Sequence, residues 1–300
     1  MQANPCGTFS ICAVDRETGE AGCAVQSKYF AVGSVVPWAK AGVGAVATQA
    51  AGVAAYGPRV LARLEQGLAP SEAIPAVLAA DEERETRQLG AVAADGRSAA
   101  HTGSSCLAWA GHRLGDGYAV QGNILAGEAV VAGMERAFLE TTGTLAERLV
   151  SALEAGQAAG GDSRGQQSAA IVVEREGAAA ESREGLDRVC ELRVDDHVEP
   201  IAELRRLLGI HLVWDALRRA TAFHAPGRYR EGADLLARTL AERGEDAALL
   251  YDLACFEVLA GDTRSAAAHA RRSLELDPGL RAGMAADPDL ASIRTELDLG

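Results

Sequence analysis

The sequence predicts an α+β domain followed by an all-helical one, and three observations carry that reading. Residues 8–49 are β-rich runs separated by tight-turn residues. Helical patterns then alternate in pairs with further strand-like runs up to residue 212. Beyond Leu212 only helical patterns remain, and they match themselves at an offset of 34 residues. A chain of 300 residues exceeds one average domain, so we divide it into a leader (1–7), a domain at 8–212 and a domain at 213–300.

The first strand is Thr8-Phe9-Ser10-Ile11-Cys12-Ala13-Val14, directly after Gly7. Ala21-Gly22-Cys23-Ala24-Val25-Gln26-Ser27 reads as its hairpin partner across Glu17-Thr18-Gly19-Glu20. Tyr56 to Gln66 is an amphipathic helix with Val60, Leu61 and Leu64 on one face, stopped by Gly67. Pro70-Ser71-Glu72 opens a second helix through about Ala80. Gln88–Ala94 and Arg97–Thr102 form a hairpin across Asp95-Gly96, and Tyr118–Gln121 is a short strand. Glu128–Leu139 and Leu145–Ala155 are helices, Ser168–Val173 and Arg188–Val194 strands, and Pro200–Leu208 a short helix. Such an order lets two sheets pack face to face with helices outside.

In the C-terminal part, Gly227 and Gly261, Ala233 and Ala267, and Leu240 and Leu274 are each 34 residues apart. That is the period of the tetratricopeptide repeat. Leu250-Tyr251-Asp252-Leu253-Ala254 and Ala267 through Leu274-Glu275-Leu276-Asp277-Pro278 resemble its two helices and closing proline; an unrelated helical bundle is the bland alternative. About two units are present, fewer than the ~3 a free-standing solenoid needs. The repeat domain is therefore expected to pack on the first domain or on another subunit, and to offer a docking site for a protein partner. A homo-oligomer is the expectation.

Hydrophobic residues make up 48% of the chain, enough for a core, and the low aromatic content of 4% leaves Ala and Gly to pack elements closely. A net charge of −13 disfavours nucleic acid and anionic membrane as partners. No apolar run approaches the ~20 residues needed to span a bilayer. The six cysteines, at 6, 12, 23, 106, 190 and 255, form no CxxC or Cys/His cluster, so neither a metal nor a cofactor is expected. Spread thiols, with Cys12 and Cys23 read as buried, suggest a reducing compartment, and Met1-Gln2-Ala3-Asn4-Pro5 lacks signal-peptide features; the expected location is the cytoplasm.

Four separated motifs resemble one family. They are Thr8-Phe9-Ser10-Ile11; Pro37-Trp38-Ala39-Lys40-Ala41-Gly42-Val43-Gly44-Ala45-Val46-Ala47-Thr48-Gln49; Val120-Gln121-Gly122-Asn123-Ile124-Leu125; and Gly156-Gln157-Ala158-Ala159-Gly160-Gly161-Asp162-Ser163-Arg164-Gly165-Gln166-Gln167-Ser168. Over residues 8–212 the chain is similar to the DUF1028 family, which is assigned to the Ntn-hydrolase superfamily of the proteasome and aminohydrolases. The resemblance implies a four-layer αββα sandwich and a candidate site, with no settled substrate.

Thr8 is the first candidate nucleophile. A threonine hydroxyl is weak until a base takes its proton, and a free α-amine on the same residue can do so. The bland reading is a β-branched residue opening a strand. That amine exists only if the Gly7–Thr8 bond is cut, and Gly-Thr is the junction at which proteasome-type precursors self-cleave. Lys40 follows Thr8 by 32 residues. That offset resembles the proteasome's lysine and would place a cation to lower the hydroxyl's pKa, whereas the bland reading is a solvated lysine. Asp162 and Ser168 resemble the acid and serine that support the terminal amine, while Ala24 stands where the proteasome carries an acid. Gln49, Gln121, Gly122 and Asn123 are candidates for substrate or oxyanion recognition, with turn chemistry as the bland reading of the glycine-bearing motifs. Arg59 is a possible carboxylate binder. Cys6 is a competing nucleophile, and His101, His112, Cys106 and Asp116 form a weaker thiol-based alternative. The expected function is an Ntn-type amidohydrolase acting on a small amide or peptide-like substrate. The alternative is a non-catalytic scaffold with a partner-docking repeat domain.

Overall fold

The structure is a computed structural model that describes residues 7–181, 185–224 and 227–299. It is a mixed α and β protein with antiparallel sheets and a C-terminal helical region. The chain divides into two compact units, one ending at Leu208 and one starting at Gly209.

The first unit holds two sheets. In strand order, the six-stranded sheet comprises β10 (Arg188–Val194), β9 (Ser168–Arg175), β2 (Glu20–Ser27), β1 (Thr8–Asp15), β8 (Tyr118–Asn123) and β7 (Gly111–Gly115). The four-stranded sheet runs β3 (Pro37–Lys40), β4 (Gly44–Ala50), β5 (Arg87–Ala93) and β6 (Ser98–Thr102). The β1–β2 hairpin pairs Asp15 with Glu20 and carries Thr8 to Ser27 at its open end. On its other side β1 pairs with β8, placing Thr8 opposite Asn123.

The two sheets face each other across one half apolar and one half polar core. The apolar half contains Cys12, Val14, Cys23 and Val25 from the larger sheet and Ala45, Ala47 and Val92 from the smaller. Period-two alternation in β1 puts Phe9 on the opposite face, where it meets helix α4 (Leu145–Ala158) near Gly156. There α4 lies on β1, β2 and β9, and α3 (Ala129–Glu140) lies on β7 and β8. Thr144 caps α4 reciprocally: its Oγ1 accepts from the Glu147 backbone N–H, and Glu147 accepts from the Thr144 N–H. Helices α1 (Tyr56–Glu65) and α2 (Pro70–Leu78) cover the outer face of the four-stranded sheet through Val60, Leu61, Leu64, Ile74 and Leu78. A short helix, α5 (Ala178–Glu181), precedes β10.

Besides the one-turn α5, which was not foreseen, two longer elements differ from the expectation. Strand β7 was not foreseen, because Gly-His-Arg-Leu-Gly has no apolar alternation and lies half-exposed at a sheet edge. Helix α6 (Pro200–His224) does not end at Leu208 but continues for 25 residues in all. Gly209 is helical and exposed with no atom near its Cβ position, so it is tolerated at about 1 kcal/mol and does not stop the helix.

In the second unit, α7 (Tyr229–Arg243), α8 (Ala247–Leu259), α9 (Thr263–Leu276) and the short α10 (Arg281–Ala286) follow the end of α6. Gly227 and Gly261, both left-handed at φ 72° and 89°, each stand two residues before α7 and α9. The self-match at 34 residues is therefore one helix start repeated. Ala233 and Ala267 occupy equivalent buried positions, and Leu236, Leu253 and Phe256 close one core while Ala266, Ala270, Met284 and Leu290 close a second. Among the described residues no helix is long and apolar enough to cross a membrane.

Candidate functional site

The polar half of the space between the sheets is built from β1, β2, β4, β5 and β8. Thr8, Ser10, Ser27, Gln49, Gln88, Gln121 and Asn123 are all buried there. A buried polar group left unpartnered costs about 1–3 kcal/mol, so such a layer is expected to be closely hydrogen-bonded, and it is so except at Gln121 Oε1, which is buried without a partner. Ser10 Oγ donates to Gln49 Oε1 at 2.6 Å and accepts from Gln121 Nε2 at 2.6 Å. Gln88 Oε1 accepts from Gln49 Nε2 at 2.8 Å and from Asn123 Nδ2 at 3.0 Å. Its Nε2 donates to the Gly122 carbonyl at 2.8 Å and to Thr102 Oγ1 at 3.0 Å.

Thr8 heads this layer. Its Oγ1 lies 3.0 Å from Ser27 Oγ, and Ser27 Oγ donates to the Gly7 carbonyl at 2.5 Å. A serine hydroxyl has one proton. With that proton committed to Gly7, the Thr8 hydroxyl must donate to Ser27, and its lone pairs are left for other use. The Gly7 carbonyl accepts a second hydrogen bond, 2.8 Å from Arg164 Nη2. Arg164 is held by Asp162 through Nε at 3.1 Å and Nη2 at 2.7 Å. Asp162, 3% exposed, also accepts from the backbone N–H groups of Lys28 and Arg164.

Thr8 also borders a cavity of about 420 Å³, lined by Tyr29, Val32, Val36, Thr48, Gln49 and Arg87 among others. Arg87 is matched by Asp81 at 2.9 Å and Glu83 at 2.7 Å. Those hydrogen bonds raise its pKa further and hold the Asp81 carboxyl well below the usual carboxylate range. Three non-glycine residues adopt left-handed backbone at this end of the sheets: Ala31 (φ 53°), Ala50 (φ 68°) and Ile124 (φ 53°). Ala50 lines the cavity, Ala31 lies between two cavity residues, and Ile124 follows the partner of Thr8. Such positions carry strain on the order of 1–3 kcal/mol and cluster at functional sites.

Thr8, Gln49, Gln121, Gly122, Asn123 and Asp162 are brought together, though not all in the expected roles. The amides of Gln49, Gln121 and Asn123 already donate to protein acceptors. Gly122 contributes its carbonyl to Gln88. Ser168 turns to the loop after β2, donating to the Tyr29 carbonyl and accepting from the Val32 N–H, so it braces the cavity wall. Lys40 is not part of the site. Register pairs it with Gly44, five residues from Gln49 on β4, a separation of ~17 Å at strand rise. Its exposed Nζ is paired with Glu65 at 2.6 Å.

The thiol alternative is not assembled. Burial pushes the Cys106 thiol up, and its Sγ donates to the Arg87 carbonyl. His101 meets the Arg84 carbonyl, His112 meets Thr102, and Asp116 pairs with Arg16. Burial, then the His101 charge, lower the His112 pKa. Arg59 stacks on Tyr56 at 5.9 Å. Cys6 and most of the expected leader lie outside the described residues. No group of three or more His, Cys, Asp or Glu able to hold a metal ion occurs among the described residues. The residues sequence reasoning missed are Ser27, Gln88 and Arg164. Ser27 could have been found from the hairpin register, which sets it opposite Thr8.

The first unit is thus a mixed α and β domain whose paired antiparallel sheets enclose a buried hydroxyl-and-amide site headed by Thr8. The chain belongs to the "Family of unknown function (DUF1028)", whose sequence model matches residues 8–204. It is similar to the crystal structure of protein SPO2555 from Silicibacter pomeroyi, of that family, with 33% identity and a TM-score of 0.61 over 67% of this chain and 88% of that one. No match is found among the curated proteins.

Proposed function

We propose that the first unit is an Ntn-type amidohydrolase that uses Thr8 as nucleophile on a small amide or peptide-like substrate. On this reading the helix–sheet–sheet–helix packing is the four-layer αββα sandwich of that superfamily. The observation that carries it is the chain Thr8 Oγ1, Ser27 Oγ, Gly7 carbonyl, with Arg164 as second donor to that carbonyl. Two donors on one carbonyl oxygen stabilise the negative charge that develops when its carbon is attacked.

The first reaction is then on the chain itself. Thr8 Oγ1 bonds to the Gly7 carbonyl carbon, the Gly7–Thr8 C–N bond breaks, and the hydroxyl proton ends on the released amine. Water hydrolyses the resulting ester, leaving a Gly7 carboxylate and a Thr8 with both hydroxyl and free α-amine. That amine, ordinarily titrating near 8, serves as base for the second reaction, on substrate. Arg164 takes the electrostatic role expected of Lys40, and Asp162 holds Arg164. The helical unit is read as tetratricopeptide-like and as a docking surface for a protein partner.

A second reading, a non-catalytic scaffold, is favoured by one observation: Thr8 is 1% exposed and the neighbouring amides are already engaged. N-terminal sequencing and intact mass after prolonged incubation test the first reading. Thr8 is expected at the terminus; an intact Gly7–Thr8 bond in every active preparation would contradict the amine-base mechanism.

A further inference from the structure

We infer that the place now filled by Gly7 is an acyl subsite that admits only groups with an unsubstituted α-carbon, so that the substrates are glycyl-type amides. This rests on the reading of Thr8 as nucleophile. The carbonyl end of the subsite is defined by Ser27 Oγ at 2.5 Å and Arg164 Nη2 at 2.8 Å from the Gly7 oxygen. Ser27 is fully buried on β2 and cannot follow a displaced ligand.

The α-carbon end is defined by Asp162. A Cβ added at Gly7 would lie 2.7 Å from Asp162 Oδ1 and 2.8 Å from both Cγ and Oδ2. Real Cβ atoms do not approach so closely, so either the ligand or the carboxylate must move. Asp162 is not a loose chain end. Its two oxygens accept from the Lys28 and Arg164 backbone N–H groups and from the Arg164 guanidinium, and its backbone bridges to Leu125. Moving it would release Arg164 from the carbonyl oxygen it holds.

The same geometry governs substrate. In the acyl-enzyme ester, the substrate's carbonyl carbon is bonded to Thr8 Oγ1, as the Gly7 carbon is during self-cleavage. Its oxygen meets the same two donors, and its α-carbon meets Asp162. The Thr8 α-amine takes the hydroxyl proton and delivers it to the departing amine as the substrate C–N bond breaks. Water then hydrolyses the ester and restores the hydroxyl.

The experiment uses the full chain, incubated until its terminus is Thr8. It is given the p-nitroanilides of N-acetylglycine, N-acetylalanine and N-acetylleucine, and in parallel a β-lactone electrophile. The expected result is a β-lactone adduct on Thr8 and a kcat/KM for the glycyl compound at least roughly 10-fold above the alanyl one, with the leucyl one lower still. The Gly7→Ala chain should retain its fold by circular dichroism and fail to cleave. An adduct on Thr8 with alanyl turnover equal to glycyl, or with no anilide turned over, overturns the subsite and leaves the nucleophile standing. Absence of both a Thr8 terminus and a Thr8 adduct removes the nucleophile reading and this inference with it.

Discussion

Gln88→Leu tests the polar layer at its most connected residue. Gln88 Oε1 is the shared acceptor for Gln49 Nε2 and Asn123 Nδ2, and its Nε2 serves the Gly122 carbonyl and Thr102. Leucine is close in volume, so no large cavity follows. The Asn123 amide loses that acceptor, Gln49 keeps only a long contact of 3.3 Å to the Thr8 carbonyl, and the Gly122 carbonyl loses its side-chain donor. At ~1–3 kcal/mol for each buried group left without a partner, two such groups give roughly 2–6 kcal/mol. The added apolar burial returns about 1–2 kcal/mol. Taking the middle of both ranges, the net expectation is a loss of about 2–3 kcal/mol, read as a lowered urea midpoint at unchanged slope. Gln88→Leu combined with Asn123→Leu should lose less than the sum of the two singles, because each removes a partner of the other. A loss under about 1 kcal/mol for Gln88→Leu, or strict additivity, would refute the claim that these amides depend on one another.

Three further outcomes follow from the same geometry. Lys40→Ala should leave cleavage and Thr8 labelling unchanged and shift stability by less than about 1 kcal/mol, as for any exposed ion pair; abolished labelling would return Lys40 to the site. In the helical unit, burial and then the Asp287 charge push the Asp252 carboxyl up to about 6. Folding therefore favours its protonated form, so its contribution is full below the ordinary value near 3.9 and is lost as pH rises through 6. Fully buried, that difference would be worth about 3 kcal/mol; for a half-buried group Asp252→Asn should gain about 1–2 kcal/mol at pH 7.5 and nothing at pH 4, and identical calorimetric pH profiles would contradict this. Ser168→Ala removes the brace on Tyr29 and Val32, so it should slow Thr8 labelling several-fold without lowering the melting temperature by more than about 5 °C; an unchanged labelling rate would separate that loop from the site.

The local structure was legible where side-chain period decides it. Thr8 to Val14 alternates, and α1 puts Val60, Leu61 and Leu64 on one face, so both elements lie close to where their patterns set them. The helix expected to end at Leu208 runs on through Gly209, because a glycine stops a helix only when it turns left-handed, and sequence does not say whether it will. Strand β7 was hidden because an edge strand needs no apolar face. Thr8, Gln49, Asn123 and Asp162 were found through motifs, but their partners required register. An offset of 32 residues fixes no direction in space. The β3–β4 hairpin turns after Lys40, which takes the lysine away from Thr8 and leaves Gln49 beside it. Arg164 lies inside a quoted motif, yet only the fold brings it to Gly7, 157 residues away in sequence.

Covalent capture of Thr8 tests the central claim most directly. A β-lactone is incubated with wild type, Thr8→Ala and Thr8→Ser, and the adduct is located by peptide mass. Thr8→Ala removes the attacking oxygen while the Ser27–Gly7 hydrogen bond can persist, so its stability should fall by only ~1 kcal/mol and any loss of labelling is chemical. The account predicts one adduct on Thr8 in wild type, one on the serine of Thr8→Ser, and none in Thr8→Ala. Equal labelling of wild type and Thr8→Ala, or an adduct on a cysteine in its place, would contradict it.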